Sequence, residues 1–156
     1  MYSICIADDE KYVLKSIAQR ISSSGMELEV VGMAGNGLEA LELYDREQPD
    51  IFFVDINMPV VNGLDFIERI RKKAPDVRTR FIIISGYDDF EYARQAIEVG
   101  VDQYLLKPVT RMKLKNVLLE LKDKIEQDQE QEDYRTQFQN EIQEYEQFSR
   151  RRFMEK

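Results

Sequence analysis

Histidine is absent from this chain of 156 residues. Its absence excludes a histidine-based catalytic triad, a histidine-ligated zinc site and any phosphoryl group carried on histidine within the chain. Cysteine is almost absent too. The single Cys5 allows no intrachain disulfide and sits in an apolar, strand-like run, which predicts a reduced core thiol in a cytosolic protein. No apolar run approaches the roughly 18 residues needed to span a membrane. The opening "MYSICIADDE" lacks the basic start of a signal peptide. The expected location is therefore the cytoplasm, with no membrane contact. Positive charge is scarce: 22 Lys and Arg stand against 30 Asp and Glu, for a net charge of −8. That argues against gripping nucleic acid through a basic surface. No internal repeat of 20 to 50 residues is present. At this length, folding can bury roughly 70% of the unfolded chain's surface, enough for a proper core.

What is present is an alternation of short β-rich runs with longer amphipathic ones. "YSICIA" (2–7), "LEVVGMA" (28–34), "DIFFVD" (50–55), "RFIIIS" (80–85) and "DQYLLK" (102–107) read as strands. Residues 10–25 carry Val13, Leu14, Ile17, Ala18 and Ile21 at helical spacing, and Gly25 ends the run. Asn36 suits the N-cap of a helix over 37–48, with Leu38, Leu41 and Leu43 facing inward and Pro49 as a stop. Helices are also predicted over 63–74, ended by Pro75, over 89–100, with Gly100 near the C-cap, and onward from Pro108. Five βα units in series predict a parallel sheet with helices on both faces. Its ligand site should lie at the carboxyl ends of the strands.

Composition changes near residue 122. The remainder has no Gly and no Pro and is rich in Gln and Glu. Leu114, Leu118, Leu121 and Ile125 follow a 4-3-4 spacing, as in a heptad seam, which "EQDQEQED" interrupts. The seam resumes out of register at Tyr134, Phe138, Ile142 and Tyr145. If helical throughout, residues 110–156 would extend about 70 Å. The expected organisation is one domain over 1–122 and a helical linker or dimerising coiled coil over 123–156. The ending "RRRFMEK" carries no capping or stop signal, so the natural protein is expected to continue.

Four strand ends carry suggestive residues: Asp8, Asp9 and Glu10 after the first, Asp55 and Asn57 after the third, Ser85 at the fourth, and Lys107 before Pro108 at the fifth. In a parallel sheet these emerge on one edge. Clustered aspartates repel by about 4 kcal/mol per pair at 4 Å and an effective dielectric of 20. A divalent cation would offset that, and carboxylates with a backbone carbonyl are hard oxygen ligands suited to Mg²⁺. A lysine and a hydroxyl nearby are free to hold an anion. Cation, anion site and carboxylate together suggest phosphoryl transfer. Each residue alone has an ordinary structural role, as a cap, a turn hydroxyl or a surface charge. The conjunction in order along the chain is what is specific.

The pattern "ICIADDE … FFVDINMPVVNGLDFI … FIIISGYDD … GVDQYLLKPV" resembles the receiver domain of bacterial two-component response regulators over about residues 1–122. The resemblance implies a flavodoxin-like, doubly wound five-stranded sheet of order 2-1-3-4-5. It implies that Asp55 accepts a phosphoryl group from a sensor histidine kinase, and that Asp9 and Asp55 bind Mg²⁺ with the Asn57 carbonyl, Asp8 completing the acidic pocket. Ser85 would meet a phosphoryl oxygen, Lys107 would pair with the phosphate before a cis Pro108, and Tyr104 would be the switch aromatic. The implied protein is a signalling switch with self-catalysed phosphotransfer and autodephosphorylation rather than an enzyme. Homodimerisation would use the C-terminal helix or the face of the fourth helix, fifth strand and fifth helix. The "LLKPV" boundary, the Gln/Glu-rich extension and the "FMEK" ending also resemble regulators with an AraC-type helix-turn-helix output, so DNA would be reached only through a domain outside this chain.

Three rivals use related features. A phosphatase-like hydrolase usually carries a second aspartate two residues after its nucleophile, and that position is Asn57. A flavin carrier of the same fold needs a hydroxyl-rich phosphate loop after the first strand, where "ADDEKY" stands. A non-phosphorylated interaction module would ordinarily lack the acidic pair, the acceptor or the lysine.

Overall fold

The computed structural model describes residues 1–86 and 90–154. Five strands, β1 (Tyr2–Ala7), β2 (Leu28–Ala34), β3 (Ile51–Asp55), β4 (Arg80–Ser85) and β5 (Gln103–Leu106), alternate with α1 (Lys11–Ser22), α2 (Gly37–Glu47), α3 (Gly63–Lys73), α4 (Phe90–Val99) and α5 (Arg111–Met154). The strands form one parallel sheet in the order β2-β1-β3-β4-β5. The expected start of the fourth helix at Asp89 lies outside the described residues. The chain divides into two compact units, Met1–Val117 and Leu118–Lys156, and α5 passes position 122 as continuous helix.

Strand alternation sorts the core into two layers. Cys5, Ala7, Phe52, Val54, Phe81 and Ile83 point to one face, where they pack with Ala40, Leu43 and Tyr44 of α2, Leu64, Phe66, Ile67 and Ile70 of α3, and Ala96 of α4. Ile4, Ile6, Phe53, Ile82 and Ile84 alternate with them on the other face, and all five are fully buried. Leu14, Ile17 and Ile21 of α1 are buried, as are Leu114 and Val117 in the first turns of α5. β3 is buried at every residue, as a central strand covered on both sides must be. Phe52, Phe66 and Phe81 form an aromatic knot with centroids 5.0 to 6.4 Å apart, and the Arg71 guanidinium lies 5.4 Å over the Phe81 ring.

Local signals position these elements. Asn36 caps α2 by accepting from Glu39 N–H at 2.9 Å, and the Glu39 carboxylate returns to Gly35 N–H at 2.9 Å. Asn62 caps α3 by accepting from Asp65 N–H at 2.9 Å. Gly100, at φ +80°, ends α4 in the left-handed region with its N–H on Ala96 and Ile97 carbonyls.

Several details differ from the sequence reading. α1 stops at Ser22, and β5 excludes both Asp102 and Lys107. Asp102 is held before the strand, where its Oδ2 accepts Phe81 N–H at 2.9 Å and its Oδ1 meets Arg80 at 3.2 Å. Leu38, expected inside, is half exposed, and the buried face of α2 is Gly37, Ala40, Leu43 and Tyr44. Within α5, Leu114, Leu118 and Leu121 are buried, whereas Tyr134, Phe138, Ile142 and Tyr145 are exposed.

Gly63 is required by close approach: a Cβ there would lie 2.4 Å from the Asp55 carbonyl oxygen and 2.9 Å from Val54 Cγ1. Alanine in a helix ordinarily gains about 1 kcal/mol over glycine. Here Gly63→Ala is expected to destabilise the protein by about 2 kcal/mol in urea denaturation, since backbone must shift.

Candidate functional site

Register brings the strand ends together. Ala7 pairs with Val54, so Asp8 leaves β1 level with Asp55 at the end of β3. Ser85 pairs with Leu106, which places Lys107 one residue beyond. Lys107 N–H donates to the Ser85 carbonyl at 2.7 Å, and the Lys107–Pro108 peptide is cis. Ile56 N–H donates to the Ile84 carbonyl at 3.1 Å, extending the β3–β4 ladder past Asp55.

The Lys107 ammonium bridges two buried carboxylates. Nζ is 3.0 Å from Asp8 Oδ2 and 3.6 Å from Asp55 Oδ1. Asp8 and Ser85 are fully buried, and Asp55 is 4% exposed. Asp8 Oδ1 accepts from Glu10 N–H at 2.9 Å. Asp8 Oδ2, despite its contact with Lys107, has no well-aligned hydrogen-bond donor. The contact is a close ion pair rather than a directed bond, so a buried oxygen retains acceptor capacity.

The charges do not balance. Asp8, Asp9, Glu10 and Asp55 give four carboxylates against the one ammonium of Lys107. Burial, reinforced by the charge of Asp8, pushes the Asp55 carboxyl up to about 6, with Lys107 pulling the other way. Burial also raises Asp8, against the Glu10 N–H and Lys107. For Lys107, burial would lower the ammonium's pKa, but its close contact with Asp8 and the charges of Asp55, Asp8 and Glu10 outweigh it, and the net shift is upward.

Carboxylate oxygens of Asp8, Asp9 and Glu10 lie within 4.8 Å of one another, close enough for a single hard cation. Glu10, which the sequence places only in an acidic strand end, joins this group. Its backbone turns back onto Asp8 and sets its side chain beside the pair. Asn57 is exposed in the β3–α3 loop, and its backbone N–H slightly offsets the upward shift of the Asp55 carboxyl. Tyr104 is half-buried on β5 and packs against the α2–α4 side of the core.

This fold with this edge defines a class, and comparison with known proteins agrees. Residues 4–119 match the response regulator receiver domain model. The chain belongs to that family. It is 38% identical over 126 residues to the transcriptional regulatory protein YesN of Bacillus subtilis, covering 78% of this chain and 34% of that protein. It is 36% identical over 118 residues to the transcriptional regulatory protein HptR of Staphylococcus aureus, covering 76% of this chain and 45% of that protein. The chain thus spans less than half the length of these curated relatives. Among solved structures it is similar to the receiver domain of AraT, a response regulator from Geobacillus stearothermophilus. That match has a TM-score of 0.74 at 41% identity, over 82% of this chain and 98% of that one. No helix among the described residues is long and apolar enough to cross a membrane.

The raised Asp55 carboxyl has a stability consequence. Its folded value exceeds the unfolded one, so the contribution to stability is greatest below about pH 4 and is lost as pH rises through about 6. At neutral pH the metal-free protein carries a penalty of up to about 3 kcal/mol, from roughly two pKa units. Asp55→Asn removes it. Urea denaturation without divalent cations should show the variant about 1–3 kcal/mol more stable than wild type at pH 7, with a much smaller difference at pH 4.5.

Proposed function

We propose that this chain is a phosphorylation-controlled switch in which Asp55 accepts a phosphoryl group from the phosphohistidine of a sensor kinase. The observation that carries the reading is the Lys107 ammonium set against buried Asp8 and Asp55 on one sheet edge, beside Ser85. An Asp55 carboxylate oxygen attacks phosphorus, the bond to the donor imidazole nitrogen breaks, and the imidazole takes up a proton on leaving. The donor histidine lies outside these 156 residues, which contain none. The Asp8 oxygen that lacks a directed donor and the surplus of negative charge fit a Mg²⁺ ion. Asp9, Asp55 and the Asn57 carbonyl would hold it, with Asp8 completing the pocket. When bound, Mg²⁺ neutralises charge on the carboxylates and the transferred phosphoryl oxygens.

The protein's own groups do the rest. Lys107 exchanges carboxylate contacts for phosphoryl oxygens, and the Ser85 hydroxyl turns to meet another. Moving Ser85 inward opens space on β5 for Tyr104 to rotate, which alters the α4–β5–α5 face. Shifting such an equilibrium from 1:99 to 99:1 requires about 5.5 kcal/mol of preference for the active state. A few charge-assisted hydrogen bonds supply energy of that order. Self-catalysed transfer and later hydrolysis make this a switch, not a turnover enzyme. Residues 1–122 form the phosphoacceptor part. Residues 123–156 form a helical connector that, with the α4–β5–α5 face, supports homodimerisation and passes the change to a transcriptional output domain in the cytoplasm.

Incubation with acetyl phosphate and Mg²⁺, followed by intact mass measurement, tests the reading. Wild type should gain one phosphoryl group, and Asp55→Ala should gain none. No gain, or an equal gain in the variant, contradicts it.

A further inference from the structure

Away from the carboxylates, a second concave site opens between α1 and the start of α5. It has a volume of about 280 Å³ and is lined by Tyr12, Lys15, Ser16, Gln19 and Arg20 with Arg111. Every charged side chain in this lining is a cation, although the chain carries a net charge of −8. The uncharged members are two hydroxyls and an amide, all able to donate hydrogen bonds. No carboxylate lines the pocket.

The arrangement is anchored. Arg20 donates from Nη1 to the Val109 carbonyl, tying α1 to the connection between β5 and α5. That bond uses one of the five N–H donors of its guanidinium. Lys15 and Arg111 form no ion pair among the described residues and are exposed. Thr110 caps α5 through Oγ1, which accepts Lys113 N–H at 3.2 Å, so Arg111 stands in the positive first turn of that helix. Three cations around one small concavity repel one another, and an anion with several charges relieves that most effectively.

We propose that this pocket binds an oligophosphate anion. A water molecule takes about 30 Å³ of liquid volume, so the cavity exceeds what one phosphate fills and accommodates a short phosphate chain. Tyr12, 80% exposed at the rim, offers an aromatic face to any base attached to that chain. The pocket shares no residue with the carboxylate site. Tyr12 follows Asp9 by three positions and Arg111 follows Lys107 by four. This goes beyond the phosphoacceptor reading and does not depend on it.

The test is a titration of the ¹⁵N-labelled full chain with pyrophosphate, and separately with adenosine diphosphate. Both run without Mg²⁺ at constant ionic strength, with sodium sulfate as a control. Saturable shifts confined to residues 11–20 and 109–113 are expected. Lys15→Gln and Arg111→Gln should each weaken binding by about tenfold, the scale of one charge-assisted bond. Both substitutions fall on exposed side chains, so the amide spectrum itself reports that the fold is retained. Equal binding of the two probes assigns the site to the phosphate chain, and binding of the diphosphate nucleotide alone assigns it to a nucleotide stacked on Tyr12. Non-saturable shifts, shifts matched by sulfate, or binding unchanged in the two variants would overturn the proposal.

Discussion

The placement of one ammonium between two buried carboxylates organises this molecule. Lys107 reaches Asp8 and Asp55 because three parallel strands end level with one another on the same sheet edge. Water is largely excluded there, so each charge counts for far more than it would on the surface. A single lysine does not neutralise the edge. Asp55 holds its proton to about pH 6, and an oxygen of Asp8 lacks a directed donor. The fold therefore concentrates an electrostatic imbalance at this edge. Such local discord between charge and burial is where function concentrates.

The surrounding scaffold keeps this edge rigid. β3 is buried along its whole length, and the Phe52–Phe66–Phe81 knot fastens α3 across it. The glycine at 63 lets α3 begin in contact with the Asp55 backbone, so the loop between strand and helix is short and tightly drawn. Val60 in that loop sits at φ +72°, a costly conformation for a β-branched residue, with Val61 N–H bonded to the Pro59 carbonyl at 2.8 Å. Strain and unbalanced charge thus lie within a few residues of each other. Core packing on both sides of the sheet is what allows both to persist.

Much of this was legible in the sequence. Continuous apolar runs marked β3 and β4 because both faces of those strands are covered. Asn36 and Gly100 act as the caps their residue types favour, and Asp8, Asp55, Ser85 and Lys107 converge as their positions at strand ends imply. What could not be read depends on contacts between distant segments. Leu38 faces outward because Gly37 must lie against the Val61 backbone, where a Cβ would come within 2.1 Å of a carbonyl oxygen. That contact fixes the rotation of α2 and turns Tyr44 inward instead. β5 is shorter than its apolar run because Asp102 is drawn back to Arg80 and Phe81. The register shift between Ile4 and Cys5 in the β1–β2 pairing leaves no local signature either. Glu10 joins the acidic cluster through a turn in its backbone, which spacing alone does not reveal.

On this account the strand-end edge is a trap for a divalent cation, and its uncompensated charge is the reason. The most direct measurement is thermal unfolding with and without millimolar Mg²⁺, at pH 7.5 and at pH 5, for wild type and for the double variant Asp9→Asn/Asp55→Asn. Mg²⁺ should raise the Tm of wild type, more at pH 7.5 than at pH 5, because Asp55 must be ionised to contribute fully. It should leave the double variant unchanged. An absent rise, a rise independent of pH, or the same rise in the double variant would contradict the account.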